Sequence, residues 1–320
     1  LAIIERLARQ DPAHAGWQRD LSVSHDRIGD VRQAQGDLAG ALAAYQASLA
    51  IIERLARQDP AHAGWQHDFW VSHTKLGEVR QAQGDLAGAL AVYQPGHVII
   101  ERLVQQDPAH AGWQRDLSVS HEKIGAVRQA QGDLAGALAA YQGSLTIRQR
   151  LVQQDPANAG WQRDLAVSYK RLASLENDAG HTRIALDRVI EALKLARNLH
   201  AQQSNDDSRR FLAQVLGSQS FCLLFDRQFH AAIAAAEEAL ALDPNQLWIA
   251  TNQAHGYLLS GQFEKAEAIY RQHARDKTND QHTFAEAVLD DFAKLRQRGI
   301  DHPDMKKIET LLQAGERPPP

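Results

Sequence analysis

The chain has 320 residues, 44% hydrophobic and 23% charged, a balance that excludes a disordered or collagen-like chain. Its formal net charge of −4 provides no overall basic field to attract nucleic acid or an acidic membrane surface. No apolar run approaches the roughly 20 residues of a membrane-spanning helix. The single cysteine, Cys222, excludes an intrachain disulfide and lies in the apolar run 221–225, where it reads as a small buried hydrophobe. One cysteine fits a reducing compartment, so a cytoplasmic location is expected.

In chain order, residues 1–16 match residues 49–64 letter for letter, so the sequence opens inside a repeat. Residues 1–16 are read as the second-helix remnant of a repeat, and the whole as a piece of a longer protein. Trp17, Trp65, Trp113 and Trp161 then recur at intervals of 48 residues. They define repeats 17–64, 65–112 and 113–160, followed by a divergent fourth over 161–204. The first and third differ at 10 of 48 positions, so they must share one fold.

Each unit reads as two helices. Trp17, Leu21, Ser24, Ile28 and Val31 recur at three- and four-residue steps and form one packing stripe. Gly36 suits a left-handed helix end, and Asp37 can cap the next helix. That helix carries Leu38, Leu42, Tyr45, Leu49, Ile52 and Leu55, and it stops at Asp59-Pro60, because proline disfavours helical geometry in the residue before it. One helix pair cannot bury both apolar stripes alone, so the units must stack.

Ile28-Gly29, Gly36-Asp37, Ala41 and Tyr45 resemble the tetratricopeptide repeat, in which small residues let paired helices approach and an aromatic fills the space beside them. The unit departs from that family in its length of 48 rather than 34 residues, and in His25 and Arg32 at positions where Trp and Tyr are frequent. The added length is similar to the long-helix variety of kinesin light chains and many bacterial repeat proteins. The resemblance implies an all-α, right-handed superhelical solenoid of antiparallel helix pairs. Two later units fit the 34-residue form: 205–246 with Ala232, Ala236, Ala239 and Pro244, and 247–278 with Trp248, Tyr257, Gly261, Ala266 and Tyr270. The polar stretch 202–210 (QQSNDDSRR) reads as a joint or long turn. Helices are predicted over 284–297 and 303–313, with Ala285, Val288, Phe292 and Leu295 as a stripe, and 279–320 is read as a cap for the last repeat with a frayed proline end.

No residues point to catalysis, a cofactor or a metal. The chain has no phosphate-cradling glycine loop, no nucleophile elbow and no base beside the cysteine. His25, His73 and His121, like His14, His62 and His110, recur once per repeat. Equivalent positions in stacked helix pairs lie on the order of 10–20 Å apart, too far to share one ion.

The resemblance implies a protein-interaction scaffold or adaptor that holds a protein or peptide on the concave face formed by the first helices. Its alternative is a sensor or regulatory arm of a larger signalling or enzymatic protein; a third expectation is self-association through the ends of the array. The side chains assigned to that face are Asp26, Asp30 and Gln33, then Thr74, Glu78 and Gln81, then Glu122, Ala126 and Gln129, then Lys170, Ser174 and Asn177. Arg27, Lys75 and Lys123 stand near the acidic positions and can cancel their charge. The second repeat breaks the pattern: Phe69-Trp70 replaces Leu21-Ser22, and Pro95-Gly96-His97 replaces Ala47-Ser48-Leu49. Proline inside a helix forfeits a backbone bond, so a kink or break is predicted near Pro95. Trp70 is then either an exposed anchor for a partner or a filler of space left by small neighbours.

Overall fold

The computed structural model describes residues 2–278 and 283–315, and among them the chain forms fifteen α-helices. Helix α1 (Ala2–Gln10) precedes seven helix pairs. These are α2 (Ala15–Ala34) with α3 (Leu38–Gln58), α4 (Ala63–Ala82) with α5 (Leu86–Gln106), and α6 (Ala111–Ala130) with α7 (Leu134–Gln154). Then come α8 (Ala159–Asp178) with α9 (Thr182–Gln203), and α10 (Asp206–Phe225) with α11 (Phe229–Leu242). The last are α12 (Leu247–Leu259) with α13 (Phe263–His273), and α14 (Phe284–Gln297) with α15 (Met305–Gly315). The expected frayed tail at 317–320 lies outside the described residues. No described helix is both long and apolar enough to cross a membrane.

The chain divides into two units, Leu1–Asp155 and Pro156–Pro320. In each, a first helix packs on the second helix of its own pair, and that helix packs on the first helix of the next. Each unit is an all-α helical-repeat solenoid. In the second unit the first helices α8, α10, α12 and α14 also pack on one another in that order.

The hairpin geometry follows from a few residues. Gly29 lies against Tyr45, where a Cβ would stand 2.4 Å from the ring; Gly77 with Tyr93 and Gly125 with Tyr141 repeat the arrangement. Only glycine permits so close an approach, and Ala41 beside it is fully buried. Gly36, Gly84 and Gly132 turn the chain at φ of +79°, +79° and +81°, a conformation that glycine adopts without a Cβ penalty. Asp37 then accepts a bond from the Gly40 amide at 2.8 Å, and Asp85 and Asp133 do the same for their helices.

The recurring histidines at 14, 62 and 110 have a definite task. Each is a helix N-cap whose Nδ1 accepts the amide of the following tryptophan (Trp17, Trp65, Trp113) at 3.1–3.2 Å. Each imidazole also stacks on that indole at 4.0–4.1 Å. In the fourth pair Asn158 takes the same place, with Oδ1 accepting from the Trp161 amide at 3.1 Å.

Two expectations need correction. The 202–210 stretch is a tight turn, not a joint or long turn: α9 runs to Gln203, Ser204 turns at φ 46°, and Asn205 caps α10. The division into units falls at 155/156 instead. Helix α5 also continues unbroken through Pro95. At Gly96 a Cβ would stand 2.9 Å from His73 Cβ and 3.6 Å from Trp70 Cδ1. Serines occupy the equivalents of both residues in the first and third repeats: Ser22 and Ser118 for Trp70, and Ser48 and Ser144 for Gly96. The large indole therefore takes the room that glycine vacates. Trp70 is 7% exposed and packs with Ile99, Ile100, Leu103 and Leu117.

The cores of the units differ. In the second unit one continuous apolar cluster runs from Ala166 to Leu312. In the first, separate clusters form around Tyr45 and Val79, around Tyr93 and Val127, and around Trp70.

Candidate functional site

In the first unit the residues assigned to the ligand-facing surface are engaged with one another. Asp30 pairs with Lys75 of the next repeat and also accepts the Tyr45 hydroxyl at 2.8 Å. Burial opposes its charge, but the bonds from Lys75 and Tyr45 outweigh that and hold its carboxyl below the usual range. Glu78 pairs in the same way with Lys123 at 2.7 Å. A second ladder runs alongside: Arg19 bonds Asp68, and His67 bonds Asp116 at 2.8 Å. Arg19 and His67 thus reach one repeat forward to an acid while Lys75 and Lys123 reach one repeat back, and the expected acidic stripe is largely neutralised.

The remaining positions serve packing. Gln33, Gln81 and Gln129 accept the hydroxyls of Tyr45, Tyr93 and Tyr141 at 3.1, 3.4 and 3.0 Å. Thr74 donates to its own helix at the Trp70 carbonyl. Glu122 bonds Arg148 at 2.6 Å, and Arg148 is only 3% exposed at a position where the first two repeats bury Ile52 and Ile100. Asp26 is half-buried; burial pushes its carboxyl up, against a hydrogen bond with Ser48 and the charge of Lys75. It lines a pocket of about 240 Å³ with Asp30, Asp68 and Lys75.

The second unit has a larger opening. A cleft of about 810 Å³ runs across its four first helices, each of which offers one stripe of side chains at helical spacing. Helix α8 gives Arg163, Val167, Lys170, Arg171 and Ser174; α10 gives Phe211, Gln214, Ser218, Phe221 and Cys222. Helix α12 gives Trp248, Thr251 and Asn252, and α14 gives Ala287, Asp290, Asp291 and Lys294. Of the assigned residues Lys170 and Ser174 line it. Asn177 lies one turn further along α8 but is 2% exposed, covered where Thr182 bonds its amide and Arg298 bonds its carbonyl.

The cleft walls are fixed from behind. Trp248 donates Nε1–H to Gln246 at 2.9 Å and packs against Gly217, where a Cβ would come within 2.5 Å of the indole. Asn252 donates to the Gly217 carbonyl at 3.1 Å. The Arg163 guanidinium lies 4.9 Å above the Phe211 ring and pairs with Asp207. Beneath Asp291 sits fully buried His255, with Nε2 3.4 Å from that carboxylate and Nδ1 2.7 Å from the Tyr270 hydroxyl. Cys222 is 3% exposed, and burial, aided by the Asp178 charge, pushes its thiol up to about 12, so it supplies no nucleophile at neutral pH.

Two charges in the cleft stand apart. The Lys170 ammonium is lowered in pKa by burial, with Arg171 and Arg163 adding like-charge repulsion, and among the described residues no carboxylate pairs with it. Asp290, at the far wall, is exposed and also has no ion-pair partner among the described residues. Among those residues no three His, Cys, Asp or Glu side chains converge as a metal site.

The residues of the cleft escaped sequence reasoning for a plain reason. The 48-residue register projects positions 26 and 30 onto 170 and 174, but it ends where the short pairs begin, so nothing carried it to α10, α12 and α14. The signal available was Trp248 following the turn after LALDPN, with Phe211, Gln214, Ser218 and Phe221 at three- and four-residue steps.

No protein-family model matches the sequence, and no curated protein is detectably similar to it. Solved structures do share its fold. BtubC (BKLC) from P. vanneervenii superposes with a TM-score of 0.58 at 18% identity, covering 88% of this chain and 94% of that one. The apo form of RapI gives 0.58 at 11% identity, covering 92% and 97%. A Rap protein complexed with Competence and Sporulation Factor gives 0.52 at 13%, covering 94% and 90%. With these likenesses, and with the Gly29–Tyr45 hairpin repeated along it, the chain has a tetratricopeptide-like helical-repeat fold.

Proposed function

We propose that this chain is a protein-interaction module that holds a peptide segment of a partner in the cleft formed by α8, α10, α12 and α14. The observation that supports this reading most is the cleft itself: about 810 Å³, spanning four consecutive first helices, with aromatic walls and convergent polar groups. Phe221 and Trp248 offer apolar area, while Gln214 and Ser218 place an amide and a hydroxyl along the opening. A fold-sharing Rap protein is complexed with Competence and Sporulation Factor, which adds weight by analogy only.

The first unit fits a supporting role in this reading. Its outward charges are spent on neighbouring repeats, leaving fewer free groups to recognise a ligand. The test is affinity capture with the purified chain and with Trp248→Ala. A partner bound by the former and lost by the latter, at unchanged helicity and melting temperature, supports the reading. Equal capture by both proteins contradicts it.

A further inference from the structure

The charges along the cleft follow an order. At the α8 wall stand three bases, Arg163, Lys170 and Arg171. Arg163 is already paired with Asp207, whereas no carboxylate of the described residues answers Lys170. An ammonium held partly out of water without a counter-ion is costly to the fold, and an incoming anion removes that cost. At the α14 wall the order reverses. Asp291 is engaged by Lys294 at 3.6 Å and His255 at 3.4 Å, and Asp290 faces the opening with no partner among the described residues. Between these walls α10 and α12 supply the apolar surface of Phe221 and Trp248.

Accepting the cleft as a peptide site, we infer that it selects a segment with opposite charges at its two ends: a carboxylate side chain for Lys170, a basic side chain for Asp290, and an apolar side chain between them against Phe221 and Trp248. The two walls converge at one end, where Arg298, just past α14, bonds the Asn177 and Asp178 carbonyls of α8, so a short segment reaches both. Charge complementarity of this kind fixes register and rejects wrong partners. Asp290 and Lys170 are separate recognition points, so each has its own signature.

The test uses the full chain and fluorescein-labelled nonapeptides, acetylated and amidated so that no terminal charge contributes. The matched probe has two glutamates, a central leucine–phenylalanine–leucine and two lysines, with glycine spacers. Control probes replace the glutamates, the lysines or both by glutamines. Anisotropy is expected to show the matched probe binding about 10- to 150-fold tighter than each half-neutralised one, the size of a charge-assisted hydrogen bond. Lys170→Gln should erase the preference for glutamate while leaving that for lysine, and Asp290→Asn should do the reverse. Equal affinity for charged and neutral probes overturns the charge inference but leaves the peptide site standing. No binding of any probe to a protein of intact helicity overturns both.

Discussion

The two units are built from the same helix pair yet use their first helices differently. In the first unit, adjacent first helices are joined by ion pairs reaching one repeat forward, Asp30 to Lys75 and Glu78 to Lys123, with Arg19 to Asp68 and His67 to Asp116 beside them. In the second, the first helices pack directly on one another, and the polar side chains on their open face are left to line a cleft. Near-identical repeats reproduce the same charge at the same place, so Asp30, Asp68, Glu78 and Asp116 each meet a base from a neighbouring repeat. Divergent pairs lose that register, and charges such as Lys170 and Asp290 are left without partners among the described residues. Uniform repetition favours a self-satisfied surface, and divergence opens room for recognition.

The comparison can be strained first at Trp70. If this indole is structural, Trp70→Ser should destabilise α4 and α5 by about 3–5 kcal/mol, the usual cost of emptying a large aromatic site. Hydrogen exchange of those helices reads this locally, which suits an array that need not unfold in two states. Adding Gly96→Ser, which restores the serine pair of the other repeats, should recover part of the loss. A tryptophan that served a partner instead would leave exchange unchanged.

The next effect belongs to Arg148. It is buried where its sister repeats have isoleucine, and Glu122 is its counter-ion. Glu122→Gln should cost about 3 kcal/mol, because it strands a buried charge. The double change Glu122→Thr with Arg148→Ile installs the pair that the second repeat already uses, Thr74 and Ile100. It should return stability to within about 1 kcal/mol of the parent in urea unfolding. If the double variant is as weak as the single one, Glu122 acts through something other than its ion pair.

The smallest effect separates the second unit from the first. Burial lowers the Lys170 pKa, so below that pKa the folded state carries a penalty that the unfolded chain does not. Between the folded value and the ordinary lysine value the unfolded chain binds more protons, so stability rises with pH across that window. Lys170→Gln should remove this rise and slightly increase stability at neutral pH. Thermal melts of both proteins at neutral and alkaline pH check this.

Much of the fold was legible in the sequence because the repeat restates it. Gly29 and Tyr45, Gly36 and Asp37, and the Asp-Pro stop at 59–60 each have one physical meaning; the first two occur three times and the stop four times in the same register. The histidine caps were less visible, since a histidine before a tryptophan announces nothing until Asn158, a common cap, is seen replacing it. The site was legible only in part. Periodicity places Asp30 and Glu78 on an outward stripe, but it does not show that lysines of the following repeats reach them. Asn177 sits on the same stripe and is covered by Thr182 and Arg298, the latter from 121 positions away, beyond the reach of any local pattern. Pro95 read as a kink or break because a helix interior ordinarily rejects proline, yet α5 runs through it from Leu86 to Gln106.

The central claim is that recognition belongs to the second unit's cleft and not to the charged face of the first. Hydrogen exchange with mass detection, on the full chain with and without the matched nonapeptide, addresses it most directly. The account predicts added protection in α8, α10, α12 and α14, with α2, α4 and α6 unchanged. Protection confined to α2, α4 and α6 would contradict it.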